Sequence, residues 1–305
     1  MAKGWLQVFT RIHEVPVARK IYIALFGMFL YTLFIHWSTR ERFVQHPALD
    51  ESGGIAVSLL IGVLLVLRTN SAYDRWWEGR KLWGQLVNDT RNLALKFNAF
   101  VNPEPIEARQ LRDCLAGFAI ALKEHLRSGL KLNSLRGFEN RVEDPEHVPA
   151  FISQDLYLLL KSWRQKERID GFEMMQLDTH MKALMDICGA CERIRSTPIA
   201  LSYRAVLRQG IGLYLIFHPW LVTPELGLWA VPVNLITTYF LVGLELIAEC
   251  IEEPFGKGDD NLPLDQICEN IAKSLDEILG STTSDTAFES ALDSDAAATI
   301  RTEEE

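Results

Sequence analysis

The sequence lacks the motifs that mark catalytic centres. It contains no glycine-rich phosphate loop, no nucleophile elbow and no pair of carboxylates at a catalytic spacing. The histidines His36, His180 and His218 are scattered along the chain, so they predict no metal cluster. The sequence therefore offers no group of residues that suggests a catalytic centre, and we expect a protein that is not an enzyme.

Cysteine is also scarce, with five residues in 305. An odd number without the spacing of a disulfide framework is typical of a reducing compartment, and we expect no disulfides. One Cys-x-x-Cys pair, Cys188 and Cys191, could be a redox centre or half of a zinc site. Since the surroundings are helical and no second pair exists, two buried structural cysteines are the preferred interpretation.

A clustered basic surface is missing as well. The net charge is −9, and much of the acidic excess lies in residues 281–305. The Ser, Thr, Asp, Ala and Glu bias of that segment predicts a disordered acidic tail. Because nucleic-acid binding needs a concentration of Lys and Arg, we expect no nucleic-acid partner.

What the sequence does contain is four apolar stretches in two pairs: residues 21–37, 55–67, 211–226 and 228–248. The first covers about 17 residues, the short end of a membrane-spanning helix, while the second covers about 13 and alone would suit a buried soluble helix. A break marked by Pro219, Pro224 and Gly227 separates the last two and predicts a helical hairpin. Four membrane crossings are therefore expected.

Basic residues orient these crossings. Lys and Arg precede the first stretch, follow the second and precede the third, whereas the break between the third and fourth has none. The positive-inside rule then places both termini and the middle of the chain in the cytoplasm. No small-residue cleavage site follows the first stretch, so we expect no cleaved signal peptide.

Strand-type alternation is absent, and apolar residues such as Leu111, Leu115, Phe118 and Leu122 recur at helical spacing. The predicted fold class is all-α, with four transmembrane helices and a helical cytosolic domain. The expected organisation is an N-terminal segment with the first two spans (1–67), the cytosolic domain (68–204), spans three and four (205–250), a cytosolic C-terminal helix region (251–280) and the tail (281–305).

Residues 68–84 combine tryptophans with Arg and Lys directly after the second apolar stretch, as in an interfacial belt. Within them, Arg75, Trp76 and Trp77 form a motif that resembles the bestrophin family, in particular its bacterial branch. Further matches are Cys-Glu-Arg-Ile at 191–194, Ser-Thr-Pro at 196–198 and Glu-Glu-Pro-Phe-Gly at 252–256. The likeness covers roughly residues 5 to 275.

This resemblance implies a homopentamer around a central pore, in contact with membrane lipid and permeant monovalent ions. Counted back from the Arg of the motif, the family's hydrophobic neck corresponds to Leu59, Val63 and Leu67. Independently, their spacing of four puts these residues on one helix face. The resemblance also implies a cytosolic constriction, which we place at Leu177 with Ile169 as the competing position.

The expected permeant ions are chloride or other anions, with monovalent cations such as sodium as the alternative, because an aliphatic neck carries no sign preference. Animal bestrophins bind calcium after Pro-Phe-Gly, and here Asp259, Asp260 and Asn261 could offer oxygen ligands. Lys257 and Gly258 interrupt that acidic run, so no cofactor is expected. Two other classes stay open: a membrane-associated redox or scaffold protein, and a transporter.

Overall fold

The computed structural model describes residues 17–40 and 51–280. These residues are almost entirely helical, and no strand occurs among them, which confirms the all-α prediction. In chain order the helices are α1 (Ala18–Arg40), α2 (Glu51–Val101), α3 (Pro105–Arg127), α4 (Val148–Gln165), α5 (Gly171–Ser196), α6 (Leu201–Leu226), α7 (Ala230–Glu252) and α8 (264–280).

The chain divides into two compact units. The first combines the residues up to Glu78 with Thr197–Leu262, and the second combines Gly79–Ser196 with the residues from Pro263 onward. The predicted tail, 281–305, and the N-terminal residues before 17 lie outside the described part of the chain.

Among the described residues, three helical stretches are apolar and long enough to cross a membrane: Ala18–Arg40, Gly54–Val101 and Leu201–Glu252. The first and third lie in the first unit, and the second begins there. The third comprises α6, a 3-10 turn and α7. The predicted break differs in detail, because Pro219 and Pro224 lie inside α6 and the chain turns only at Gly227, with φ of 54°. Apolar helices tolerate internal proline where neighbouring helices and side chains satisfy the freed backbone groups.

Apolar side chains in this unit face outward to an extent unusual for a protein in water. Ile61 and Leu65 of α2 pack against Leu207 and Ile211 of α6, but many others on the same helices are exposed. Because a soluble monomer rarely exposes large contiguous apolar surface, this unit is suited to lipid or to neighbouring subunits.

The second unit has an ordinary buried core. The predicted stripe on α3 is fully buried, and Phe97 of α2 meets Trp163 of α4 edge to face with ring centroids 5.0 Å apart. Cys188 and Cys191 of α5 are buried and form no disulfide, in agreement with the preferred interpretation of the pair as structural. Burial is also the main reason why the pKa of Cys188 lies above its usual value, which disfavours a reactive thiolate.

Glu107, in the first turn of α3, connects several parts of the second unit. Its carboxylate accepts hydrogen bonds from Trp163 Nε1 at 3.0 Å and Arg168 Nη1 at 2.6 Å. The backbone N–H of Glu104 donates to it as well, at 3.1 Å. Burial raises the pKa of Glu107, but these hydrogen bonds outweigh that effect, and the net shift is downward.

We expect Glu107→Gln to destabilise the protein by about 1–2 kcal/mol, because charge-assisted hydrogen bonds from Arg168 and Trp163 are weakened. Since the pKa of Glu107 is lower in the folded state, its contribution is present above the unfolded pKa and is lost as pH falls through the folded pKa. Thermal unfolding in detergent across acidic pH is the measurement. If Glu107→Gln lowers the stability by the same amount at acidic and at neutral pH, this explanation is wrong.

Candidate functional site

The first part of α2 carries an exposed apolar stripe, formed by Leu59, Val63 and Leu67. Their relative exposures are 69%, 51% and 53%, whereas Ile61 and Leu65 on the opposite face are buried against α6. The stripe lines an open groove of about 600 Å³ together with Ile55, Ser58, Gly62 and Val66. The predicted neck residues therefore share one face of the helix and point away from the protomer's own core.

Arg68 follows the stripe directly and turns inward. Its side chain is 0% exposed, although it is a charged group at the end of an apolar run. Nη2 lies 2.5 Å from Glu252 Oε2, and Nε lies 3.8 Å from Glu245 Oε2, both on α7. A buried guanidinium is tolerated only when it is paired. The position of α2 therefore depends on these two carboxylates.

Two arginines of α6 complete the charge balance. Arg208 Nε lies 2.8 Å from Glu245 and its Nη2 lies 3.0 Å from Glu249, while Arg204 lies 3.7 Å from Glu252. The carboxylates near the end of the fourth predicted span thus pair with nearby arginines. We call the six residues the arginine–glutamate cluster: Arg68, Arg204, Arg208, Glu245, Glu249 and Glu252.

The motif residue Arg75, two helical turns beyond Arg68, joins two of the other matching segments. Its Nε donates to the backbone carbonyl of Glu252 at 3.0 Å, and its Nη1 donates to the carbonyl of Thr197 at 2.5 Å. The side chain of Glu252 in turn accepts the backbone N–H of Ile199 at 3.0 Å. Three segments that are distant in sequence are therefore fastened together at Arg75 and Glu252.

Trp76 and Trp77 differ in their roles. Trp76 donates from Nε1 to the carbonyl of Asp260 at 3.1 Å, and so ties α2 to the loop after α7. Trp77 is exposed and stacks with Tyr73, with ring centroids 6.4 Å apart. Trp76 thus helps to hold the loop after α7 in place, whereas the ring of Trp77 is exposed on the surface.

The loop after α7 is organised by Asn261. Its side-chain amide donates to the carbonyls of Cys250 and Glu253 at 3.1 and 2.7 Å, and its Oδ1 accepts the N–H of Gly258 at 2.7 Å. A Cβ at Gly256 would lie 2.6 Å from that oxygen, so only glycine fits.

This arrangement bears on the calcium hypothesis. Asn261 Oδ1 already accepts a backbone hydrogen bond, and Asp259 is exposed to solvent. The oxygen that Asn261 was expected to offer is used to hold the loop. The calcium site at Asp259, Asp260 and Asn261 stays a prediction.

The residues chosen for the cytosolic constriction lie inside the second unit. Leu177 and Ile169 are buried, while Phe172 and Met175 nearby are exposed. A side chain that lines a passage between subunits must be accessible on the isolated protomer. The constriction also stays a prediction, and the protomer gives it no support at these positions.

Sequence reasoning missed the central pair, Arg68 and Glu252. A signal was present: a single Arg ends an uninterrupted apolar run, and Glu245 and Glu252 lie two helical turns apart on one face of the last span. Ionisable residues at such positions need partners, and matching them would have suggested the pair.

Sequence comparisons support the resemblance found in the motifs. A family model described as bacterial/fungal bestrophin protein matches residues 2–277. A voltage-dependent anion channel-forming protein of Nostoc sp. is 33% identical over 302 residues, which cover 90% of this chain and 92% of the relative. A protein of the same description from Synechocystis sp. is 35% identical over 240 residues, 74% of this chain and 76% of the relative.

The fold is similar to that of solved structures. A bacterial bestrophin homologue from Klebsiella pneumoniae, solved as a point variant, aligns with a TM-score of 0.80 at 24% identity and covers 86% of this chain and 99% of that chain. The same protein solved by zinc phasing gives 0.79 at 22% identity, over 85% and 98%. Together the comparisons confirm the predicted family and the expectation of a protein that is not an enzyme, since the relatives are described as channel-forming.

We expect Glu252→Gln to destabilise the protein by about 3 kcal/mol, because it leaves the buried guanidinium of Arg68 without its nearest charge. The matched control is Glu253→Gln, which neutralises the adjacent, exposed carboxylate. Thermal unfolding of both variants in detergent is the measurement. If the two variants unfold at the same temperature, the buried pair of Arg68 and Glu252 does not stabilise the protein.

We also expect Gly256→Ala to destabilise the loop after α7 by about 1–3 kcal/mol, because the new Cβ displaces Asn261 from its hydrogen bonds. Gly189→Ala is the control, since a Cβ there meets nothing within 4 Å. Limited proteolysis of the loop, together with thermal unfolding, reports the difference. If both alanine variants behave like the parent protein, Asn261 is not the element that holds the loop.

Proposed function

Because this chain belongs to the bacterial/fungal bestrophin family, we propose that it forms an anion channel whose pore is lined by the α2 helices of several copies. The observation that carries the proposal is the apolar stripe Leu59, Val63 and Leu67, exposed on one face of α2. The relatives described as voltage-dependent anion channel-forming proteins supply the ion class.

The proposed assembly is a homopentamer in the bacterial inner membrane, with both termini in the cytoplasm. Self-association gives the exposed apolar face of α2 a partner that one protomer lacks. The arginine–glutamate cluster supports this arrangement, since it fixes α2 against α6 and α7 at the end of the stripe. A lining helix must hold its rotation about its own axis if several copies are to present the same residues.

In the proposed pore the stripe acts as a hydrophobic neck. A ring of aliphatic side chains makes a narrow passage that water leaves readily, so an ion must lose hydration to pass. A small widening restores the water column and lowers that barrier. Gating of this kind needs no charged residue in the neck.

Selectivity for anions must come from elsewhere in the chain. The neck side chains carry no charge, and the buried Arg68 that follows them is compensated by Glu245 and Glu252. Because that balance leaves no net positive charge beside the neck, a channel for monovalent cations such as sodium is the second candidate.

We expect Val63→Ala to raise single-channel conductance or open probability on the order of threefold, because it widens and weakens the dewetted ring. Leu60→Ala is the matched control, since Leu60 has similar exposure on the same helix but lies outside the groove that the stripe lines. The measurement is planar-bilayer recording of the purified protein. If both substitutions change conductance equally, the stripe does not line the conduction path.

The same recordings in asymmetric potassium chloride decide the ion. A reversal potential near that of chloride supports the anion channel, and one near that of potassium supports the cation alternative. Absence of any conductance, with activity that depends on Cys188, would favour the redox or scaffold hypothesis.

A further inference from the structure

Three side chains with metal-binding chemistry meet in the second unit, apart from the proposed pore. His125 lies in the last turn of α3, His147 lies just before α4, and Glu192 lies on α5. Glu192 Oε1 is 2.7 Å from His125 Nε2 and 2.9 Å from His147 Nε2. The two imidazole rings are 4.6 Å apart between centroids.

We propose that His125, His147 and Glu192 form a binding site for a divalent transition-metal ion of the zinc class. One ligand atom from each residue lies within 4.8 Å of the others. Two imidazole nitrogens and a carboxylate oxygen are a recurrent ligand set for zinc, with a water molecule in the fourth position. We call this group the histidine–glutamate site.

The distances suit an ion after a small adjustment. Ligands of a tetrahedral zinc ion at about 2.0–2.1 Å are separated from one another by about 3.3 Å. The present separations from Glu192 Oε1, 2.7 and 2.9 Å, are those of hydrogen bonds. An opening of about half an ångström, within the range of side-chain rotation, converts one arrangement into the other.

Solvent access and charge also favour an ion at this position. The side chains of His125, His147 and Glu192 are 26%, 38% and 37% exposed, so an ion can reach them from water. The carboxylate of Glu192 places a negative charge beside the two imidazole nitrogens.

The surroundings hold the ligands in place. Arg195 donates from Nη1 to the backbone carbonyl of His125 at 2.6 Å, so its positive charge is bound to the end of α3. Cys188 Sγ lies 3.7 Å from Glu192 Oε1. We propose only His125, His147 and Glu192 as ligands, and the thiol of Cys188 contacts the carboxylate of Glu192.

Metal binding has a structural consequence at the start of α4. His147 Nδ1 accepts the backbone N–H of Ala150 at 3.1 Å, so in the neutral ring the proton resides on Nε2. Coordination through Nε2 requires that proton to move to Nδ1, which then cannot accept from Ala150. Metal binding therefore replaces the N-terminal cap of α4 with a coordinate bond.

The ligand types also distinguish this site from a calcium site. Calcium prefers six to eight oxygen ligands, whereas imidazole nitrogens suit zinc and its neighbours in the first transition row. His36, His180 and His218 are scattered along the sequence and predict no metal cluster. His125 and His147 lie in different segments, and only the fold brings them together.

The test uses the full chain, purified in detergent and treated with a chelator. We expect Zn²⁺ titration by calorimetry to show one site per chain, and Co²⁺ to give the visible absorption of tetrahedral coordination. Glu192→Gln and His125→Gln should each weaken Zn²⁺ binding at least tenfold. His180→Gln, which alters a histidine paired with Asp89 elsewhere in the unit, should leave binding unchanged.

The proposal is overturned if the parent protein binds Zn²⁺ no more tightly than Glu192→Gln, or if His180→Gln weakens binding as much as His125→Gln. Circular dichroism of each variant shows that it is folded, and His147→Asn provides a further ligand substitution if one of the others fails to fold. Because binding is measured without ion flux, its outcome is independent of whether the protein conducts.

Discussion

The buried guanidinium of Arg68 constrains the first unit more than any other group described in it. It has no exposure to solvent, and its charge is compensated by Glu252 and Glu245 on a helix that follows about 180 positions later. Since removing a guanidinium from water is costly unless partners remain close, α2 cannot rotate or slide freely against α7. The rotation that turns Arg68 inward is the one that turns the neighbouring Leu67 outward. The ion pairs of Arg68 and the packing of Ile61 and Leu65 against α6 therefore favour the same face of the helix.

The motif residues mainly fasten the fold. Arg75 binds two backbone carbonyls, Trp76 binds a third, and Asn261 holds the loop into which Gly256 fits without a side chain. None of these contacts touches the apolar stripe. A family signature of this kind identifies the scaffold reliably, while the residues proposed to meet the ion carry no distinctive pattern beyond their spacing.

Sequence periodicity was sufficient for the helices and for the stripe on α2, because both depend on neighbours along one segment. It was insufficient where distant segments meet. Arg68 and Glu252 are separated by 184 positions, and no spacing rule connects them. The same limit applies to His125, His147 and Glu192, which come from three helical segments. At Asn261 the composition suggested a cation ligand, whereas in the structure its side chain forms hydrogen bonds with the surrounding backbone.

The length of α2 has a consequence for its place in a membrane. The helix covers 51 residues without interruption, or roughly 77 Å at about 1.5 Å per residue, against about 30 Å of hydrocarbon in a bilayer. More than half of it must therefore lie outside the lipid.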